Sequence, residues 1–593
     1  MNQHLLRVDL TAGKIAKEQI PPEVLAKFIG GKGLAAHYGY REIPPGIDAF
    51  SPQNKLMFFV GPLTGVLNVF SRHVIASKSP ATGTFSDSYA GGWFGAELAK
   101  AGLMGIIFEG RAAKLSVLRI DGQSAVLEDA SALAGKTTYE VDAMFPEYRV
   151  ACIGPAGEKR VRFAIVANDC TRRQRAGVAG RGGMGAVMGS KNLKAVLVKA
   201  GGAADAFIPE RCRAAVAELR REFVEYLKKE VVPGMGLGGN LPAMQLTADA
   251  KVTPVRNFRR GYDERYQRVA EEAFKQIAIG KKTCYLCPVA CGVTTKAQAG
   301  PYAGTELERI EYETVALNGP NCEQFDIGAI LKIGRLCNEY GIDTISFGGI
   351  TAYVMECSEK GLIDYKLAWG DAAGQVRLLE MIARREPGLG DLLAEGLGIA
   401  VKKLGHAELA VHLKGLEIPG YDVRGPVGMA LAYATADRGG DHLRAWTIVA
   451  EANAPHTIEG KAKLTKDLQD RNAALWTLIG CDNIPANTTG DPAKFVAYSI
   501  KGLNLLGIEM DNARFLEVGE RIYNLTRQFN VREGFSRKED RLPPRLAEVR
   551  EDTGWRIASQ DFERMLDEYY ALRGWDRDGK PSAETLHRLQ LET

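Results

Sequence analysis

The sequence predicts an α+β fold: a β-rich N-terminal domain followed by two mainly α-helical domains. Three observations carry this. Residues 1–205 hold short β-type runs between Gly, Pro, Asn and Asp. Helical periodicity takes over after Gly201-Gly202-Ala203-Ala204-Asp205, which reads as a linker. A second break falls at Gly415–Gly428, with Pro419-Gly420-Tyr421-Asp422 and Gly425-Pro426. The expected domains are therefore 1–205, 206–418 and 419–593, in keeping with about 150–200 residues per unit in a chain too long for one core. Strands are expected at Lys55–Val60, Gly105–Gly110, Leu115–Ile120, Val161–Ala167 and Lys194–Lys199, short apolar runs bounded by turn residues. Helices are expected at Pro209–Lys229, Asp326–Tyr340, Gly374–Arg385, Pro492–Leu506 and Ala513–Asn530, where charged and apolar residues interleave at helical period.

Composition excludes several classes. A net charge of +4 on 593 residues leaves no electrostatic footprint for nucleic acid. No run of about 18 apolar residues predicts a membrane span. The start, Met1-Asn2-Gln3-His4-Leu5-Leu6-Arg7-Val8-Asp9-Leu10, lacks the basic head and apolar stretch of a signal peptide. Ten cysteines, most of them isolated, make no disulfide framework and fit a reducing compartment. A cytoplasmic protein is expected.

The chemistry concentrates in Cys284, Cys287 and Cys291, spaced C-x2-C-x3-C in Thr283-Cys284-Tyr285-Leu286-Cys287-Pro288-Val289-Ala290-Cys291-Gly292. Three thiols this close cannot all pair as disulfides. Soft thiolates suit an iron–sulfur cluster, and a cubane takes four of them. Cys481, in Leu478-Ile479-Gly480-Cys481-Asp482, is the candidate fourth ligand. Structural zinc is the alternative, since it too accepts four cysteines. Zinc sites usually use two paired C-x2-C knuckles, and Cys481 has no near partner.

Two glycine-rich segments stand in the first domain. They are Ser88-Tyr89-Ala90-Gly91-Gly92-Trp93-Phe94-Gly95-Ala96-Glu97-Leu98 and Arg175-Ala176-Gly177-Val178-Ala179-Gly180-Arg181-Gly182-Gly183-Met184-Gly185-Ala186-Val187-Met188-Gly189-Ser190-Lys191. Glycine lets backbone approach a ligand, and exposed N–H groups and arginines hold anions. Tight turns in a β domain need glycine as well. Neither segment is a dinucleotide fingerprint or a P-loop. Glu311-Tyr312-Glu313-Thr314, Asp343-Thr344-Ile345-Ser346 and Ala436-Asp437-Arg438-Gly439-Gly440-Asp441-His442 complete the set. His442 is one of only eight histidines.

Together with Phe28-Ile29-Gly30-Gly31-Lys32-Gly33-Leu34 and Gly61-Pro62-Leu63-Thr64-Gly65, these segments resemble, in order and nearly end to end, the tungsten-dependent aldehyde ferredoxin oxidoreductase family. The resemblance implies two pyranopterin dithiolenes chelating one tungsten (molybdenum uses the same ligands), a magnesium ion bridging the pterin phosphates, and a neighbouring [4Fe–4S] cluster. The β-rich domain would form a base for the pterins, with the two later domains covering it. Arg72, Tyr89, Ala90, Gly91, Arg181, Gly182 and Gly183 match positions that touch the pterins. Asp343 matches the acid of the first pterin motif, and Leu478 and Gly480 fall within the second. Glu313 and His442 match the acid and histidine beside the metal. The expected reaction is oxidation of an aldehyde to a carboxylic acid, electrons leaving through the cluster to ferredoxin or a partner subunit. Glu313 would act as general base, with His442 bonding the substrate oxygen. The chain would work as a homo- or hetero-oligomer.

One departure bears on function. The second pterin motif usually reads D-x-x-G-L-C; here the aligned residues are Trp476-Thr477-Leu478-Ile479-Gly480-Cys481, and Asp470 and Asp482 are out of register. The cysteine stays and the acid is replaced by Trp476. This opens two alternatives. One is a low-potential reductase subunit of carboxylic acids or an aryl-CoA, like the tungsten subunit of class II benzoyl-CoA reductases. The other is a non-catalytic electron-transfer subunit. Cys322 reads as a buried structural thiol.

Overall fold

The computed structural model describes residues 3–172, 175–201, 205–308, 310–451, 454–486 and 491–592. Its N-terminal part is built on two six-stranded mixed sheets. The first runs β2 (Lys14–Gln19), β1 (His4–Asp9), β6 (Gly105–Glu109), β3 (Leu56–Phe59), β4 (His73–Lys78), β5 (Phe85–Ala90). The second runs β11 (Gly177–Ala179), β10 (Val166–Asn168), β9 (Arg149–Cys152), β12 (Leu193–Lys199), β7 (Ser116–Asp121), β8 (Ser124–Asp129). Among the described residues of these sheets, only β1–β6 and β7–β12 pair in parallel. Central β3 and β4 are buried on both faces, which is why Leu56-Met57-Phe58-Phe59 reads as a continuous apolar run rather than an alternating one. Both sheets share one hydrophobic core.

The remainder is mainly helical, as expected from the periodicity. Among the described residues no helix is long and apolar enough to cross a membrane. Sequence-predicted and observed helices agree closely: Glu210–Tyr226, Ile327–Tyr340, Ala372–Arg384, Pro492–Leu505 and Asn512–Arg532. Aspartates 326, 371, 491 and 511 cap four of them by accepting from backbone N–H groups, each a contribution of about 0.5–2 kcal/mol. Residues 202–204, in the expected linker, lie outside the described residues.

One expectation fails. Val161–Ala167 is not a strand throughout; β10 spans only Val166–Asn168. The preceding residues turn, with Val161 N–H donating to Ala156 O and Ala164 N–H to Val161 O. Ala164 then bridges Ile342, and Ile165 N–H donates to Gly341 O. Val161, Phe163 and Ala164 pack with helical Ile333, Phe347 and Ile350 instead of on a ladder.

Candidate active site and cluster site

Short-range chemistry aims each side chain. Helix Ile327–Tyr340 ends at Gly341, whose φ of +82° closes it in the left-handed region that glycine adopts without strain. Two residues later Asp343 caps helix Thr344–Glu359, accepting from Ile345 N–H at 3.1 Å, Ser346 N–H at 3.3 Å and Ser346 Oγ at 2.9 Å. Asp343 is thus fixed between two helices, with Arg181 Nε 3.5 Å from its Oδ2. Arg181 is itself anchored across the fold, donating to Gly440 O at 2.7 Å and to Glu417 O.

Glu313 stands in the first turn of helix Tyr312–Asn318, and its Oε2 accepts from Gly420 N–H at 2.7 Å. Its other oxygen lies 3.6 Å from His442 Nε2. The two candidate catalytic residues, far apart in sequence, therefore meet. Both are buried. Glu313 Oε1 and His442 Nδ1 have no hydrogen-bond partner, an uncommon and costly state for buried polar atoms. Burial pushes the Glu313 carboxyl up to about 8, opposed by its bond to Gly420. Burial also lowers His442 to about 4, opposed by the neighbouring Asp441 carboxylate. Both groups are driven toward their neutral forms. Tyr312 stacks on Tyr421, whose ring sits 5.3 Å from that of His442, so the pair has an aromatic wall.

Glu313 and His442 line one cavity with Arg72, Tyr89, Arg181 and Asp343. A second, smaller cavity is lined by all four candidate ligands, Cys284, Cys287, Cys291 and Cys481. The two adjoin, sharing Arg72 and Asn483 as wall. Cys481 reaches its place because its N–H donates to Val69 O at 3.0 Å. Gly92 N–H lies 3.3 Å from Cys284 Sγ, and Gly91 has no room for a side chain larger than methyl on that side, its notional Cβ being 3.4 Å from the same sulfur. Arg72 Nη2 is 3.7 Å from Cys481 Sγ and 2.6 Å from Asp482 Oδ1.

Other predicted residues take different places. Ala90, Gly182, Gly183 and Leu478 line neither cavity. Gly182 and Gly183 turn the chain at positive φ, and a Cβ on Gly182 would lie 2.1 Å from Ser86 Oγ. Leu478 is core, and Gly480 borders a third small cavity with Trp476 and Cys481. Trp476 stacks on Tyr89 at 5.0 Å and lies under the guanidinium of Arg444 at 4.7 Å. Beneath it is a buried network in which Lys32 and Arg444 each pair with Asp87 and Asp437. Two residues near the sulfurs, Arg175 and Asp482, escaped sequence reading. The motif Arg175-Ala176-Gly177 held the first, but nothing local marks which arginine in a glycine-rich run turns toward a thiol.

The sequence profile "Aldehyde ferredoxin oxidoreductase, N-terminal domain" matches residues 5–200, and "Aldehyde ferredoxin oxidoreductase, domains 2 & 3" matches residues 218–591. The chain belongs to the aldehyde ferredoxin oxidoreductase family. It is 35% identical over 612 residues to the tungsten-containing aldehyde ferredoxin oxidoreductase of Pyrococcus furiosus, covering 99% of this chain and 98% of that one. It is 28% identical, over 100% of its own length and 97% of the relative's, to the aliphatic sulfonate oxidoreductase WOR-like subunit of the same organism. Among solved structures it resembles the active-site complex BamBC of benzoyl coenzyme A reductase in complex with 1,5-dienoyl-CoA. The TM-score is 0.84 at 25% identity, covering 100% of this chain and 97% of that one.

Proposed function

We propose that the chain is a tungsten (or molybdenum) pterin oxidoreductase that converts aldehydes to carboxylic acids and passes the electrons through a [4Fe–4S] cluster to ferredoxin or a partner subunit. The observation that carries this is the meeting of Glu313 and His442 at 3.6 Å in a cavity that shares a wall with four thiols. The residues fit both groups. Four cysteines around one cavity, with a backbone N–H and two guanidinium groups beside them, are a donor set for a cubane. Unpartnered Glu313 Oε1 and His442 Nδ1 offer polar atoms to a ligand in the larger cavity. Arg72, Tyr89, Arg181 and Asp343 would hold the pterins there, together with magnesium.

When bound, the metal supplies a Lewis acid and a two-electron acceptor. The chain supplies the rest. Glu313 Oε1 takes the proton from water or hydrated aldehyde, its raised carboxyl making it a stronger base than an exposed glutamate. Gly420 N–H holds the other oxygen, so the carboxylate cannot swing away. His442 steadies the substrate oxygen, and the Tyr312 and Tyr421 rings limit water. The balance is R–CHO + H2O → R–COO⁻ + 3 H⁺ + 2 e⁻.

A second reading is a low-potential reductase subunit acting on a carboxylic acid or aryl-CoA. It is favoured by Trp476, stacked on Tyr89 where the motif resemblance leads one to expect an acid, and by the likeness to BamBC. Purification without oxygen, counting W, Mo and Fe, followed by parallel aldehyde and acyl-CoA assays, tests both. One W or Mo with about four Fe per chain and aldehyde turnover supports the first reading. The same metals with acyl-CoA turnover alone overturns it in favour of the second.

A further inference from the structure

Arg175 is buried, and three contacts fix its guanidinium. Nη1 lies 2.9 Å from Cys291 Sγ, while Nη2 donates to Gly238 O at 3.2 Å and lies 3.3 Å from Glu311 Oε1. Its backbone is fixed as well, since Arg175 N–H donates to Thr283 O, the residue before Cys284. Its stem packs over Gly292, where an added Cβ would come within 3.1 Å of Arg175 Cδ. The arginine is therefore built into both ends of the cysteine run. Glu311, in contrast, lines the larger cavity with Glu313 and His442. The sequence Cys291–Arg175–Glu311 spans from one cavity to the other on protein atoms alone, separately from Arg72.

We propose that Arg175 and Glu311 act as an opposed pair of fixed charges that sets the reduction potential of the cluster relative to the catalytic metal. The inference rests on the cluster reading above. A buried cation hydrogen-bonded to a ligating sulfur stabilises the state with one more negative charge, so Arg175 raises the potential. Glu311, on the far side of the same guanidinium, offsets part of that charge and lowers it. With the proposed cluster bound, Arg175 and Glu311 would bias only the passage of electrons through it. No bond forms or breaks at Arg175, and no proton is transferred. Arg175 and Glu311 are thus positioning residues for electron flow.

The test is a dye-mediated redox titration of the full-length chain purified without oxygen, following the reduced-cluster electron paramagnetic resonance signal and iron content. Arg175→Gln is expected to shift the midpoint to more negative potential. Arg175→Lys, which keeps the charge, should hold it near wild type, and Glu311→Gln should shift it the other way. Opposite shifts at unchanged iron content are what a packing role cannot produce. Unchanged midpoints, or shifts of one sign in both Gln variants, overturn the proposal. Should Arg175→Gln lose iron, the sign of the Glu311→Gln shift decides. A wild-type chain without iron or cluster signal overturns the cluster reading itself, and this inference with it.

Discussion

His442 Nε2 sits 3.6 Å from Glu313 Oε1, while Glu313 Oε2 is held by Gly420 N–H at 2.7 Å. One oxygen is tethered and the other faces the histidine and the cavity. That division defines what replacing Glu313 should do. A glutamine side chain there would keep an oxygen for Gly420 N–H but lose the base. Glu313→Gln is expected to cut turnover by about 10²–10⁴-fold with W or Mo content unchanged. Full activity in that variant would remove the base from Glu313.

The same pair sets a pH dependence of stability. In the metal-free chain Glu313 titrates at about 8 instead of 4.5. Between those values the folded chain keeps a proton that the unfolded chain has released, so stability falls as pH rises, by up to about 1.4 kcal/mol per unit. His442 is lowered from 6.5 to about 4. In that window the unfolded chain binds the extra proton, so stability falls as pH drops. Urea unfolding should show Glu313→Gln gaining on wild type as pH rises from about 5 to about 8. A constant difference across that range would contradict the raised carboxyl.

Cys287 lines the four-thiol cavity, and burial pushes its thiol well above the ordinary range, with Cys284, Cys481 and Cys291 adding to the shift. An iron ligand must be the thiolate, so the proposed cluster would have to supply the deprotonation that burial opposes. Cys287→Ala should lose most of about four Fe per chain, read by elemental analysis. Retention of all iron would refute the ligand set.

Trp476 is nearly fully buried, between Tyr89 and Arg444. Trp476→Ala should cost about 3–5 kcal/mol, seen as a lower urea midpoint, whereas Trp476→Phe should retain most of the stability. If Trp476→Ala unfolds like wild type, the stack is not structural, and the residue serves the cavity alone.

Helices were legible because each carries its own punctuation. Asp371 caps a helix whose apolar period shows only from Gly374, so the cap, not the period, marks the true start at Ala372. Val161–Ala167 misled for the converse reason: its first residues are apolar to fill a helical core. At the site, Cys284, Cys287 and Cys291 announce themselves by spacing, while Glu313 and His442 were legible as residue types in a family pattern. Arg175 and Asp482 were not, since their roles come from contacts with Cys291 and Arg72, far away in sequence. Ile479 is a further instance. It adopts φ +58° at the end of helix Lys461–Leu478, a conformation that strains a β-branched residue and that only the fold reveals.

The core beneath both sheets is completed by Leu475, Trp476 and Leu478 and by Phe515, Ile522 and Phe529, from the far end of the chain. Domains generally fold from the N-terminus as they leave the ribosome, yet these sheets keep an apolar face bare until the last helices are made. The C-x2-C-x3-C run also emerges long before Cys481 does. The four-thiol cavity, with Cys481 on the late-made segment, is therefore complete only once that closing event has taken place.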